Sequence, residues 1–288
     1  MTYFNQNKAY ITPEFYYTIC RGGKRIVFAP CEELKRVQRY FKQALEWTYP
    51  LKISTFDCAK IHCGKKWILK MDIKDFYASV PYEFTRQVVK NTCKKIKLAD
   101  INYYLNITTL NDKLPVGAPT SAHIANACFS PVDKRIRTYC RTYDVNYSRY
   151  MDDLIFSSDD KFSLNMAEKF VKNVSEVFGY KLNEKKTKYI SDNKQQNVLG
   201  LVVNGKQARL PKKLRKRLRA MLHSYAIYKN SGATPVDLKY RTWSETEIAR
   251  LRGYLAYAKQ VDKETFDKLE QYLKQLYVKS YISKKPAC

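Results

Sequence analysis

Two adjacent aspartates, Asp152 and Asp153, lie between two short β-rich segments, Tyr147–Tyr150 and Leu154–Ser157. Neighbouring carboxylates at a tight strand connection repel each other, and a carboxylate set among apolar strand residues is costly unless something neutralises it. A chain that keeps such a pair must fold so that a cation comes to it. A second acidic island ends the β-rich run Trp67-Ile-Leu-Lys-Met-Asp-Ile73, where Asp72 follows four apolar residues and one lysine. Taken singly, each motif reads as a polar turn or a strand-end charge. Taken together, they point to three convergent carboxylates, a hard-oxygen site suited to Mg²⁺. Two such ions roughly 3.5–4 Å apart can activate a 3′-hydroxyl and neutralise a leaving pyrophosphate.

The charge balance points the same way. Among 288 residues, 53 Lys and Arg face 27 Asp and Glu, a formal net charge of +26. That excess says nothing about fold but implies a polyanionic partner, nucleic acid before an anionic membrane surface. Hydrophobic residues make up 45%, enough for a sizeable core and too many for a disordered chain. No acidic residue occurs from Asn193 to Val236, a stretch holding ten basic ones. Leu214, Leu218, Met221, Leu222 and Tyr225 keep helical spacing inside it, so 212–229 reads as an amphipathic helix with a basic face. A charge run is usually a solvated face, but this one exceeds what solubility needs and reads as a nucleic-acid contact.

The longest apolar run, Val198–Val203, is far short of the ~20 residues that span a bilayer. The first residues lack a signal-peptide pattern, and the 8 cysteines are scattered without a CxxC pair. They read as reduced thiols of a cytoplasmic protein. Cys58, His62 and Cys63 could form half a zinc site, but no second half follows at ligand spacing.

Residues 19–31 read as two strands around a Gly-Gly turn, and 32–47 as a helix with Leu34, Val37, Phe41, Ala44 and Leu45 on one face. Helices are expected at 83–97, 119–142, 164–178, 245–260 and 263–280. Val198–Val203, an Asn204-Gly205 turn and Ala208–Leu210 read as a hairpin, since Asn-Gly favours a two-residue hairpin turn.

These motifs, in this order, resemble reverse transcriptases. Residues 71–81, MetAspIleLysAspPheTyrAlaSerValPro, resemble the first catalytic motif, and TyrMetAspAspLeu at 150–154 resembles the Tyr-x-Asp-Asp box. LeuProValGlyAlaProThrSer from 114, LeuAsnGluLysLysThrLys from 182 and AsnValLeuGlyLeuValValAsn from 197 resemble the intervening motif, the following one and the primer-grip hairpin. GlyGlyLysArgIleValPheAlaProCysGluGluLeu at 22–34 resembles the fingers hairpin of bacterial enzymes. Within that group the chain is similar to bacterial retron enzymes: Cys58-Ala59-Lys60-Ile61-His62 matches their Asn-Ala-x-x-His signature with Cys for Asn, and Val198-Leu199-Gly200 matches Val-Thr-Gly with Leu for Thr.

The resemblance implies an α+β right-hand polymerase. Fingers and palm would occupy 1–204 (fingers mainly 12–70 and 82–115, palm 71–81 and 116–204), with an antiparallel palm sheet backed by helices. A basic helical thumb would occupy 205–288. Asp72, Asp152 and Asp153 would be catalytic and, with the Ile73 carbonyl, would hold two Mg²⁺, for which Mn²⁺ could substitute. Lys24, Arg25, Asp75, Phe76, Tyr77, Val116, Gly117 and Lys186 would meet the incoming nucleotide. Tyr77 would exclude a 2′-hydroxyl, and Lys186 would protonate pyrophosphate. Val116 stands where most relatives carry Gln. Ala59, His62, Val198, Gly200, Lys212, Lys213, Arg215, Lys216, Arg217 and Arg219 would contact RNA or DNA.

The implied function is RNA-directed DNA polymerisation by a nucleotidyltransferase. It would take dNTPs and a cognate structured non-coding RNA as template and primer, and make short RNA-linked single-stranded DNA (msDNA). The implied setting is the bacterial cytoplasm, in anti-phage defence, with an associated effector protein and no membrane. The alternatives are a stand-alone enzyme of intron-derived or abortive-infection type, and a non-catalytic RNA-binding scaffold.

Overall fold

The computed structural model describes residues 16–21, 25–49, 54–231 and 243–283. Lys24 and the Gly22-Gly23 turn lie outside them, as does the side chain of Arg25. The chain divides into two compact units, Met1–Ser54 with Lys66–Ser191, and Thr55–Lys65 with Asp192–Cys288. The break after Ser191 leaves 192–204 with the helical unit. Thr55–Lys65, expected in the fingers, also belongs there.

In the first unit, β1 (Tyr16–Arg21) and β2 (Arg25–Pro30) form an antiparallel hairpin followed by α1 (Glu32–Thr48). The buried face of α1 is Leu34, Gln38, Phe41 and Leu45. The Gln38 amide reaches the carbonyl of Ile107 at 2.7 Å, tying α1 to a helix the periodicity did not announce, α4. That helix, Ile101–Thr108, is only eight residues long and starts on Asp100, whose carboxylate accepts from Tyr103 N. The other short helix, α2 (Thr55–Ile61), falls in the second unit. Helix α3 spans Tyr82–Lys95.

The central sheet of this unit has four antiparallel strands. In chain order they are β3 (Trp67–Asp72), β4 (Asn146–Tyr150), β5 (Asp153–Ser158) and β6 (Lys188–Ser191), arranged β4-β5-β3-β6. Helix α5 (Ser121–Thr142) packs on β4, and α6 (Lys161–Val177) packs on β5. Ile124, Ala125, Cys128, Phe129, Val132 and Ile136 of α5 are buried in one continuous core with Leu69, Met71, Leu154 and Phe156 of the strands. Each large side chain so buried contributes roughly 1.5–3 kcal/mol. Helix α6 begins three residues ahead of the apolar pattern because Asp160 caps it, accepting from Phe162 N and Ser163 N at 3.0 Å each.

In the second unit, α7 (Lys212–Ser231), α8 (Glu245–Val261) and α9 (Lys263–Ser283) pack around Leu218, Leu222, Ile248, Leu251, Ala258 and Leu269. Ser244 and Glu247 form a reciprocal capping box at the start of α8. The Asp262 carboxylate accepts from Leu210 N and Thr265 N, joining the entry to α7 with the start of α9. Helix α2 packs against β8 (Leu201–Val202), and Gly64 N donates to Val203 O at 2.9 Å.

The hairpin differs from expectation. Its two-residue turn is Leu199-Gly200, between β7 (Asn197–Val198) and β8, with φ of 46° and 89°. Positive φ at both central residues is what a type I′ turn requires, and Gly200 supplies one without strain. Asn204 is used otherwise. Its amide donates to the carbonyls of Asp192 and Lys194, and its oxygen accepts from Gln196 N, so it closes the preceding loop. Only a single bridge, Val202 to Arg209, remains of the expected second arm.

Candidate active site

Two strand ends bring the acidic islands together. Antiparallel register places Asp72, the last residue of β3, opposite Asp153, the first of β5. Asp152 lies in the turn between β4 and β5, and its carbonyl accepts from Ile73 N at 3.0 Å. The strand that ends at Asp72 and the strand that starts at Asp153 are apolar next to the carboxylates, with Leu69, Met71, Leu154 and Phe156 in the core. Asp72 is buried, whereas Asp152 and Asp153 are half-buried.

Negative charge gathers at these strand ends and is only partly offset by lysines. Burial, then the neighbouring Asp152, and further down Asp72, push the Asp153 carboxyl above its ordinary value, against the opposing pull of Lys70 and Lys186. Lys186 Nζ lies 2.8 Å from Asp72 Oδ1, and that hydrogen bond, with the Asp72 charge, raises the ammonium. The lysine stands on a single 3₁₀ turn, Glu184–Lys186, held by main-chain bonds: Asn183 N to Asp72 O and Lys74 N to Lys181 O, both 2.8 Å. Among the described residues no cluster of three or more His, Cys, Asp or Glu side chains is already gathered at ligating distance. The residues nonetheless fit a divalent cation. They present hard oxygens, like-charge repulsion that a cation relieves, and an ammonium already drawn to Asp72.

The turn bearing the aspartates is fixed by residues that the motif reading passed over. Arg149, almost wholly buried, donates to Met151 O at 2.9 Å and Asn126 Oδ1 at 2.7 Å. Its Nε lies 2.9 Å from Asp133 Oδ1, and Tyr147 donates its hydroxyl to the same oxygen at 2.6 Å. The guanidinium also sits 4.7 Å from the Phe129 ring centre and 5.9 Å from that of Phe76. Met151, whose carbonyl it grips, has φ of 55°, a conformation that a residue with a Cβ adopts only when its surroundings hold it there. The signal was available. Arg149 is a charge in a strand that enters the core, and Asn126 and Asp133 are two helical turns apart on one face of α5.

The other expected nucleotide contacts fall in the same unit. Asp75 is exposed with φ of 49°, Phe76 is buried against Phe129 and Tyr180, and Tyr77 is half-buried beside Phe76. Val116 is half-buried, and its carbonyl accepts from Phe28 N of β2 at 2.9 Å, so the fingers-like hairpin is anchored at the expected nucleotide wall. Gly117 is exposed, with φ of 120°.

The expected RNA contacts divide. Ala59, His62 and Val198 are fully buried and offer no surface to a nucleic acid. They face the core of the second unit, and burial pulls His62 down to about 3, so it is neutral. Gly200 is exposed in its turn. Lys212, Lys213, Arg215, Lys216, Arg217 and Arg219 all stand exposed on α7. Arg219 lies over the Tyr272 ring at 4.4 Å and Arg217 over Tyr254 at 5.5 Å.

A family model described as reverse transcriptase (RNA-dependent DNA polymerase) matches residues 15–203. The Retron Mx65 reverse transcriptase of Myxococcus xanthus is 29% identical over 273 residues, covering 86% of this chain and 61% of that protein. The Retron Ec86 reverse transcriptase of Escherichia coli is 27% identical over 277 residues, covering 90% and 80%. The chain thus spans less than two thirds of the Mx65 relative and most of the Ec86 one. Telomerase from Candida albicans superposes with a TM-score of 0.55 at 12% identity, over 94% of this chain and 64% of that one. A foamy viral protease-reverse transcriptase superposes with a TM-score of 0.51 at 14% identity, over 92% and 43%. At such identities the two solved structures share a fold with this chain.

Proposed function

This chain belongs to the reverse transcriptase family, and from that premise we propose that it is an RNA-directed DNA polymerase of retron type. The observation that carries the reading is the register pairing of Asp72 with Asp153, with Asp152 beside them in the turn. Similarity to the Mx65 and Ec86 enzymes over most of the chain supports the subtype. The substrates would be dNTPs and a cognate structured RNA, and the product a short RNA-linked single-stranded DNA. Its setting would be the bacterial cytoplasm, in anti-phage defence with an effector protein. No described helix is long and apolar enough to cross a membrane.

Asp72, Asp152, Asp153 and the Ile73 carbonyl would hold two Mg²⁺, or Mn²⁺ in their place. When bound, the ions activate the primer hydroxyl and offset charge on the leaving pyrophosphate. The chain's own residues do the rest. Arg149 holds the turn that carries Asp152 and Asp153 through the Met151 carbonyl. Lys186, cationic and next to Asp72, can give a proton to pyrophosphate as it leaves. Tyr77 closes the space a ribose 2′-hydroxyl would need. Val116 gives an apolar wall where an amide could have bonded the nucleotide. On α7 the exposed lysines and arginines meet duplex phosphates.

The test is primer extension on an RNA template by purified protein, with D152A/D153A as the control, followed by expression with flanking genomic DNA. Aspartate-dependent extension is the expected result, and its absence overturns the polymerase reading. An RNase-sensitive short DNA in cells supports the retron subtype. Extension in vitro without it leaves a reverse transcriptase of another kind.

A further inference from the structure

The outer face of α1 presents a row of side chains that the proposed chemistry does not use. Arg36, Tyr40, Gln43 and Trp47 are all exposed and recur at helical spacing within a sector of about 60°. Trp47 is 77% exposed and Tyr40 64%. Two large rings left this open to water need a reason, since Trp is on average a highly buried residue. The row holds no aliphatic side chain, unlike a seam made for another helix. It offers instead two π-faces, a planar guanidinium and an amide. Among the described residues Arg36 makes no salt bridge. Arg39, at its flank, is paired only loosely with Glu32, at 3.8 Å. Of the acids of α1, Glu32 holds Lys35 at 2.6 Å and Glu46 holds Lys42 at 2.9 Å, while Glu33 feels the charge of Arg36.

We propose that this face of α1 is a binding site for a single-stranded segment of RNA, with Tyr40 and Trp47 as stacking platforms and Arg36 and Arg39 on the phosphates. Aromatic rings interleaved with arginine are the chemistry by which single strands are held without regard to sequence. The spacing suits it. Seven residues of helix give an axial rise of about 10.5 Å from Tyr40 to Trp47, about three base steps of 3.4 Å. A short stacked run therefore fits with its end bases on Tyr40 and Trp47. Gln43 lies between them and brings a donor and an acceptor to where a 2′-hydroxyl would pass, which favours RNA over DNA. The site deepens the proposed function by naming a contact for unpaired RNA distinct from the basic helix α7.

The experiment uses fluorescence anisotropy with labelled rU12, dT12 and a blunt RNA–DNA duplex on the full chain. Y40A and W47A should each weaken rU12 binding by roughly 5- to 150-fold while leaving the duplex unchanged. W47F should recover most of the loss, and Q43A should narrow the preference for rU12 over dT12. Unchanged rU12 binding in Y40A and W47A overturns the proposal, as does an equal loss for single strand and duplex. Equal binding of rU12 and dT12 by the wild type shows that the face does not distinguish the two sugars and overturns the RNA commitment. A change in oligomeric state in W47A assigns it to a protein contact and overturns the proposal also. Extension of an annealed primer by the wild type reads the polymerase separately, so the two failures are distinguishable.

Discussion

Asp72 and Asp153 stand opposite each other in one antiparallel register, so the fold holds two carboxylates together before any cation arrives. The Asp153 carboxyl is raised by burial and by its acidic neighbours. A carboxyl raised in the folded state costs stability when ionised, and that cost fades as pH falls through its folded pKa. Asp153→Asn should therefore raise Tm in metal-free buffer near neutral pH, by about 1–2 °C for a partly exposed group, while abolishing extension. The gain should shrink on acidification. Melting curves across pH with EDTA check it, and a gain that grows toward low pH contradicts the assignment.

Asp133→Ala leaves a buried guanidinium without its carboxylate and should cost roughly 3–5 kcal/mol. Replacing both partners, Arg149→Leu with Asp133→Leu, should recover most of that stability, because two apolar groups can substitute for a buried ion pair. It should not recover extension, since no group then holds the Met151 carbonyl. Denaturant unfolding and steady-state kinetics on the same three proteins separate a structural role from a positioning one.

Gly200→Ala should destabilise by about 1–2 kcal/mol through backbone conformation alone. No atom lies within 4 Å of where its Cβ would be, so no clash adds to the cost. Gly200→Asn should cost less than alanine, because asparagine tolerates positive φ better. Equal losses for the two variants, read by thermal melting, would point to packing instead.

Duplex affinity should fall with salt, with a log–log slope near −5 if about six α7 residues meet phosphates. Lys212→Ala or Lys216→Ala should each flatten that slope by about 0.9. Arg217→Ala and Arg219→Ala should change it less, since both guanidinium groups lie over aromatic rings. Titrations at several salt concentrations decide the ranking.

Tyr77→Ala should open the nucleotide site and raise ribonucleotide incorporation at least tenfold relative to deoxynucleotides, on the order of a single steric exclusion. Competition assays with matched rNTP and dNTP pairs measure it. Unchanged selectivity removes the gate role from this residue.

Much of this architecture was legible because long amphipathic elements announce themselves. Helices α1, α5, α7 and α9 lie where the sequence pattern put them, and the paired strands β3, ending at Asp72, and β5, starting at Asp153, follow from their largely apolar runs. The short elements were not legible. Helices α2 and α4 have too few turns for periodicity to emerge, and α4 depends on the cap at Asp100. The turn at Leu199-Gly200 was hidden by the stronger Asn-Gly signal at 204–205, which tertiary hydrogen bonds claimed for a loop. The site divided in the same way. Its carboxylates were visible as motifs, whereas Arg149 acts through contacts with residues 16 and 23 positions away in the sequence. His62 was named as an RNA contact through the signature match alone, and a signature does not carry the burial that the fold gives it.

The discontinuity of the second unit has a bearing on biosynthesis. Thr55–Lys65 leaves the ribosome early, yet the residues it packs on, from Asp192 onward, are made much later. At about 5–20 residues per second the bond from Gly64 to Val203 waits roughly 7–30 s for its acceptor to exist. During that interval Cys58, Ala59 and His62, all buried in the finished protein, lack the later-made residues of their own unit. A nascent chain of this design is exposed for a defined time at a defined segment, and a chaperone that binds it should do so between residues 55 and 65.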